Sequence, residues 1–138
     1  MKPVGVLLIG LILWGACNKK DDPTPQTPEQ FLAREWVLNA LTSTDPDFQT
    51  SGQILVGSHW TFNADKTFLL KVSVSGLDLS FTGSWSLASD GKTLTVTSNY
   101  GGSPVTSNMT IVSITAAQLV LEESAGGMTN TYTFSAKP

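Results

Sequence analysis

The chain has 138 residues, 14% of them charged, and a net charge of −3. That length suits one domain with its own core, and the charge is low against the roughly 25% usual in soluble proteins. Scattered lysines offer no basic surface to nucleic acid, and a single histidine with a single cysteine leaves too few ligands for a zinc site.

Residues 1–16 read as a lipoprotein signal peptide. Lys2 is a short positive region, Val4 to Trp14 is an apolar run, and Gly15-Ala16-Cys17 closes it. A spanning helix needs about 20 apolar residues, so the run is too short to cross a membrane comfortably. The small residue before the lone cysteine is similar to the lipobox of bacterial lipoproteins, with Trp14 where that pattern has Leu. The resemblance implies that Cys17 carries a diacylglyceryl group and becomes the acylated N-terminus. It further implies a chain lipid-anchored to the outer membrane of the bacterial cell envelope. An ordinary signal peptide would leave the lone cysteine unexplained.

Residues 17–30 form a tether. Asn18 to Pro28 holds three prolines and four charges and favours extended geometry. Eleven such residues reach roughly 35 Å at about 3.1 Å each. Thr27-Pro28-Glu29-Gln30 predicts a helix start: a Thr cap, Pro in the first position and Gln at the capping-box site. That helix is at most two turns, because Trp36 to Thr42 begins a strand. Thr44 to Gln53 reads as a polar loop. Its Asp45 and Asp47 have ordinary Pro-turn spacing, which outweighs a calcium reading.

Residues 31–138 are the folded domain. Ile54, Val56, Trp60 and Phe62 alternate on one strand face, and Phe68, Leu70, Val72 and Val74 follow after a turn at Asn63–Lys66. Taking Gly76-Leu77 as the centre of the next turn sets Val72 opposite Phe81 and Phe68 opposite Trp85. Phe81 to Thr97 is a plain hairpin. Phe81, Gly83, Trp85 and Leu87 alternate with Thr and Ser, Asp90-Gly91 turns the chain, and Leu94 and Val96 continue the apolar face. This pairing puts Leu87 against Leu94 and Trp85 against Val96. Tyr100 to Pro104 reads as a turn. Val105–Ile114, Gln118–Ser124 and Thr129–Ala136 supply three more strands, with Met109, Ile111, Leu119, Leu121, Tyr132 and Phe134 inward.

Eight strands with short connections lose their two edges by closing into an antiparallel up-and-down β-barrel. The pieces are Leu32-Ala-Arg-Glu-Trp36-Val-Leu, Trp60-Thr-Phe-Asn-Ala-Asp-Lys-Thr-Phe68, Gly83-Ser-Trp85, Asp90-Gly-Lys-Thr-Leu94, Ile111-Val-Ser-Ile114, Leu119-Val-Leu121 and Tyr132-Thr-Phe134. In that order, behind Cys17 and its tether, they resemble the lipocalin-like lipoproteins of Gram-negative bacteria. The resemblance implies an all-β, lipocalin-like barrel with no assigned enzyme activity. Two departures stand out. Arg34 occupies the position where lipocalins place Gly, two residues before the first-strand Trp. No Arg follows Trp36 to stack on it, so Lys137 is the one late cation left to substitute.

No catalytic, metal or cofactor site emerges. His59 points outward if Trp60 points inward, with no nucleophile and orienting group in view. Glu122 and Glu123 are strand neighbours on opposite faces and make no carboxylate pair. The aromatic set Trp36, Trp60, Phe62, Phe68, Phe81, Trp85, Tyr132 and Phe134 lines the expected interior. It leaves two readings open, a cavity for a small hydrophobic ligand or a filled core. At roughly 150–250 Å² buried per aromatic, volume favours the filled core and an interaction module. A third reading turns the apolar face outward, as a membrane-spanning barrel, but short turns and the polar end Lys137-Pro138 oppose it. The expected partners are the membrane, through the anchor, and a small ligand, with the protein a monomer.

Overall fold

Thr27 opens the first element as its sequence predicts. Its side chain accepts from the Gln30 N–H, the Gln30 side chain accepts from the Thr27 N–H, and Pro28 takes the first turn of α1 (Pro28–Leu32). The computed structural model describes residues 25–138. The expected leader, Cys17 and most of the tether lie outside the described residues, and α1 straddles the expected tether boundary at residue 30.

Eight strands follow: β1 (Glu35–Ser43), β2 (His59–Phe62), β3 (Thr67–Val74), β4 (Leu77–Leu87), β5 (Thr93–Tyr100), β6 (Ser103–Ile114), β7 (Gln118–Ala125) and β8 (Met128–Ala136). Each pairs antiparallel with its sequence neighbour, and β8 returns to β1, so the sheet is a closed barrel without an edge. Apolar residues fill the inside, from Trp36 and Leu38 on β1 to Tyr132 and Phe134 on β8. The outer wall carries Thr and Ser rows such as Ser84–Thr97–Thr106. That polar wall is the opposite of a lipid-facing barrel surface. One extra residue in β1, at Asn39, shifts the alternation so that Leu41 rather than Ala40 points inward.

Several local expectations need correction. The predicted polar loop after Thr44 contains a helix, α2 (Pro46–Ser51), because Asp45 accepts from the Asp47 N–H at 3.0 Å and Pro46 starts the turn. Ile54 and Val56 are not on the strand of Trp60. Gly52–Leu55 is a 3-10 turn, β2 begins only at His59, and Ile54 is solvent-exposed. The β3–β4 register also differs. Ser75 (φ 50°) and Gly76 (φ 81°) are the two central residues of the turn, so Val74 faces Leu77. Val72 therefore faces Leu79, Leu70 faces Phe81 and Phe68 faces Gly83. The slip is two residues, so every side chain keeps its face.

The β4–β5 register is as predicted, with Leu87 on Leu94 and Trp85 on Val96, although the connection opens into a longer loop around Asp90-Gly91. Tyr100 and Pro104 lie in strands, and Gly101-Gly102 alone makes the turn between them.

Candidate ligand site at the open end of the barrel

The two ends of the barrel differ. At one end α1 lies across the opening as a floor. Leu32 is fully buried there, and its carbonyl accepts from Trp36 Nε1 at 3.1 Å. Lys66, from the β2–β3 turn, binds Glu29 of α1 and sets its ammonium 4.2 Å above the Trp85 ring. Trp85 Nε1 donates to the Asn63 carbonyl at 2.9 Å. The Arg34 guanidinium stands 5.8 Å from the Trp36 ring centre and donates to the Ala116 carbonyl. Arg34, where the family pattern has Gly, is thus itself the cation over Trp36. Lys137 does not substitute; it binds Glu35 on the outside.

Above the floor, Phe62 meets Trp85 edge-on at 5.8 Å and packs on Phe68 at 5.1 Å, while Trp60 meets Phe134 at 5.2 Å. These rings, with Trp36, fill the lower barrel. Filling stops higher up. A cavity of about 90 Å³ remains between Trp60, Phe68, Leu70, Val96 and Met109, with the hydroxyls of Ser98 and Ser107 on its wall. Tyr100 and Val105, at its upper side, are 41% and 47% exposed, so the cavity reaches the rim.

The rim is uneven. Over β1 and β8 it is roofed by α2 and the 3-10 turn, with Phe48 and Leu55 packed on the core and Gln49 accepting from the Ser43 N–H. Over β3 to β6 it is open. Leu77 and Leu79 continue the inward series of β4, yet they are exposed, and Phe81 stacks on Tyr100 at 4.7 Å just below them. An apolar lip therefore overhangs the cavity.

Polar groups gather on the roofed side. Tyr132 is 4% exposed, and its hydroxyl donates to Glu123 Oε2 at 3.1 Å. Ser43 Oγ donates to Asn130 Oδ1, and Asn130 faces Glu123 across the strand pair. Burial pushes the Tyr132 phenol well above its ordinary range, and the Glu123 carboxylate beside it adds to the rise.

A second concavity lies on the outer wall where β2 ends short. It is an open groove of about 450 Å³ containing Glu35, His59, Lys71, Asp78 and Lys137. His59 does point outward, but it has a partner: its Nδ1 lies 2.6 Å from Glu35 Oε1. That contact, followed by the Lys137 ammonium, holds the Glu35 carboxyl below its ordinary range. Glu35, His59 and Lys137 thus pair with one another, and Asp78 accepts from Ser73 Oγ.

Against this geometry, the lipocalin-like domain model matches residues 32–121. The chain belongs to the lipocalin-like domain family. A lipocalin-like protein from Bacteroides uniformis shares its fold, with a TM-score of 0.55 and 15% identity over 78% of this chain and 99% of that one. Bovine odorant-binding protein in complex with undecanal is similar at a TM-score of 0.52 and 18% identity, over 86% of this chain and 78% of that one. Insecticyanin from the tobacco hornworm Manduca sexta reaches a TM-score of 0.57 at 9% identity, over 76% and 61%. No curated relative matches the sequence. At these identities the neighbours establish the barrel and leave the site to be read from this lipocalin-like chain itself.

The structure divides the eight aromatics expected inside. Trp60 and Phe68 line the cavity, Trp36, Phe62, Trp85 and Phe134 fill the floor end, Phe81 stands at the lip, and Tyr132 anchors the polar side. Tyr100, Ser98, Ser107 and Glu123 were missed as site residues. The signal was there: Leu119, Leu121 and Glu123 share one period-two series, so the second glutamate follows two core leucines inward.

Proposed function

We propose that this protein is a non-enzymatic binding module that holds a small apolar molecule in the upper barrel. The observation that carries the reading is the cavity between Trp60, Phe68, Leu70, Val96 and Met109, open to solvent beneath an exposed apolar lip. A void of this kind is the usual place for a ligand in a small barrel. At about 90 Å³ it is smaller than the roughly 150 Å³ apolar cavity that accepts benzene. The ligand is therefore thin, such as an alkyl chain, with its remainder in the mouth. The undecanal complex of bovine odorant-binding protein supports an aliphatic occupant by fold analogy alone. Native mass spectrometry of the chain from Pro23 to Pro138 tests this directly. A retained small molecule, or saturable uptake of an alkyl probe with quenching of Trp60, is the expected result. Absence of both leaves a filled barrel acting as an interaction module.

The same proposal places the protein at the bacterial cell envelope, lipid-anchored to the outer membrane through Cys17 and acting as a monomer. Its support is the lone cysteine after a short apolar run. Labelled palmitate should enter the wild type and not Cys17→Ser. An unlabelled wild type that fractionates with the soluble proteins defeats the anchor.

A further inference from the structure

We infer that the barrel mouth selects a ligand with a cationic head, a small primary amine on an apolar chain. This rests on the binding reading above and names the ligand class. The inward series of the described strands are apolar or neutral with one exception, Glu123. The inner wall thus carries one negative charge and no positive one.

Two observations set that charge beside the cavity, next to two of its wall residues. Thr110 pairs with Glu122, so Glu123, one residue on, stands level with Met109 of the cavity wall. Glu123 Oε2 is held by the hydroxyl of Tyr132, whose ring lies 5.8 Å from Trp60, another wall residue. The Tyr100 phenol stands on the cavity's upper side, stacked on Phe81. That phenol is thus at the mouth beside the Phe81 ring, and the Glu123 carboxylate with its Tyr132 phenol lies next to the Trp60 and Met109 walls, with the apolar slot between.

An ammonium suits this arrangement on two counts. It donates to the carboxylate in a charge-assisted hydrogen bond, and the aromatic faces attract it as a cation. A carboxylate-headed chain of equal length would set like charge against Glu123. A neutral alcohol would gain the slot and lose the ion pair.

The described residues 25–138 contain every strand partner of the closed barrel, so the chain from Pro23 folds as a unit. Titrating it with n-hexylamine, n-hexanol and hexanoate, by calorimetry or tryptophan fluorescence, ranks the three heads on one tail. The expected order is amine, alcohol, acid, with the amine about tenfold or more tighter than the alcohol. Glu123→Gln should erase the amine's advantage over hexanol, while Glu122→Gln, on the outer face, keeps the wild-type order. Hexanol binding as tightly as hexylamine overturns the inference and leaves the apolar-ligand reading standing. Failure of all three to bind overturns both. If Glu123→Gln does not fold, the wild-type ranking decides alone.

Discussion

Gly83 shows how closely two strands approach in this barrel. A Cβ there would sit 1.8 Å from the Thr97 carbonyl oxygen, which is backbone and cannot swing away. Gly83→Ala should therefore push β4 from β5 and cost about 3 kcal/mol, read as a lower denaturation midpoint. Ionisable residues give predictions of opposite sign. Glu35 has a lowered folded-state pKa because of His59 and then Lys137. Its contribution is complete above about pH 5 and is lost as pH falls, so Glu35→Gln should flatten the acid limb of a stability-versus-pH curve. Tyr132 has a raised one, through burial and Glu123. Its contribution is complete below about pH 10 and is lost as pH rises above that, because the unfolded phenol ionises first. Tyr132→Phe should remove this alkaline loss, measured by denaturant melts between pH 8 and pH 11.

At the scale of elements, the β3–β4 turn is open to improvement. Ser75 holds φ at 50°, a conformation that Asn tolerates better, and Gly76 already follows. Ser75→Asn should raise stability by about 0.5 kcal/mol, seen as a higher melting temperature. This turn also marks where the sequence stopped being legible. Ser75-Gly76 and Gly76-Leu77 both satisfy two-residue turn chemistry and differ by a register of two, which period-two patterning cannot separate. The strands themselves were legible because Trp85, Leu87, Leu94 and Val96 alternate with Ser and Thr without exception. The segment before β2 was not. Ile54 and Val56 mimic a strand face, and only the packing of Phe48 and Gly52 against Leu41 shows that the chain coils over the rim there. Tertiary contact decided that element, and local alternation misled.

At the scale of the whole molecule, the barrel is packed at one end and hollow at the other, so two tryptophan truncations should behave differently. Trp85 lies at the packed end, against Phe62 and beneath Lys66. Trp85→Ala should cost about 3–5 kcal/mol and leave binding of an alkyl probe unchanged. Trp60 belongs to both the core and the cavity wall. Trp60→Ala should destabilise comparably and also let bulkier probes, such as a fused-ring dye, enter. Thermal melts paired with probe titrations distinguish the two. The uneven ends also bear on orientation. The chain reaches the barrel through α1, so whatever precedes Pro25 is joined to the floor, and β6 alone spans 12 residues from rim to floor. At about 3.4 Å per residue and a strand tilt near 40°, that separates floor and rim by roughly 30 Å. Under the anchoring proposed above, the tether joins this cup at its base and leaves the brim as the end farthest from the attachment. Cargo would then enter and leave at the end away from the tether.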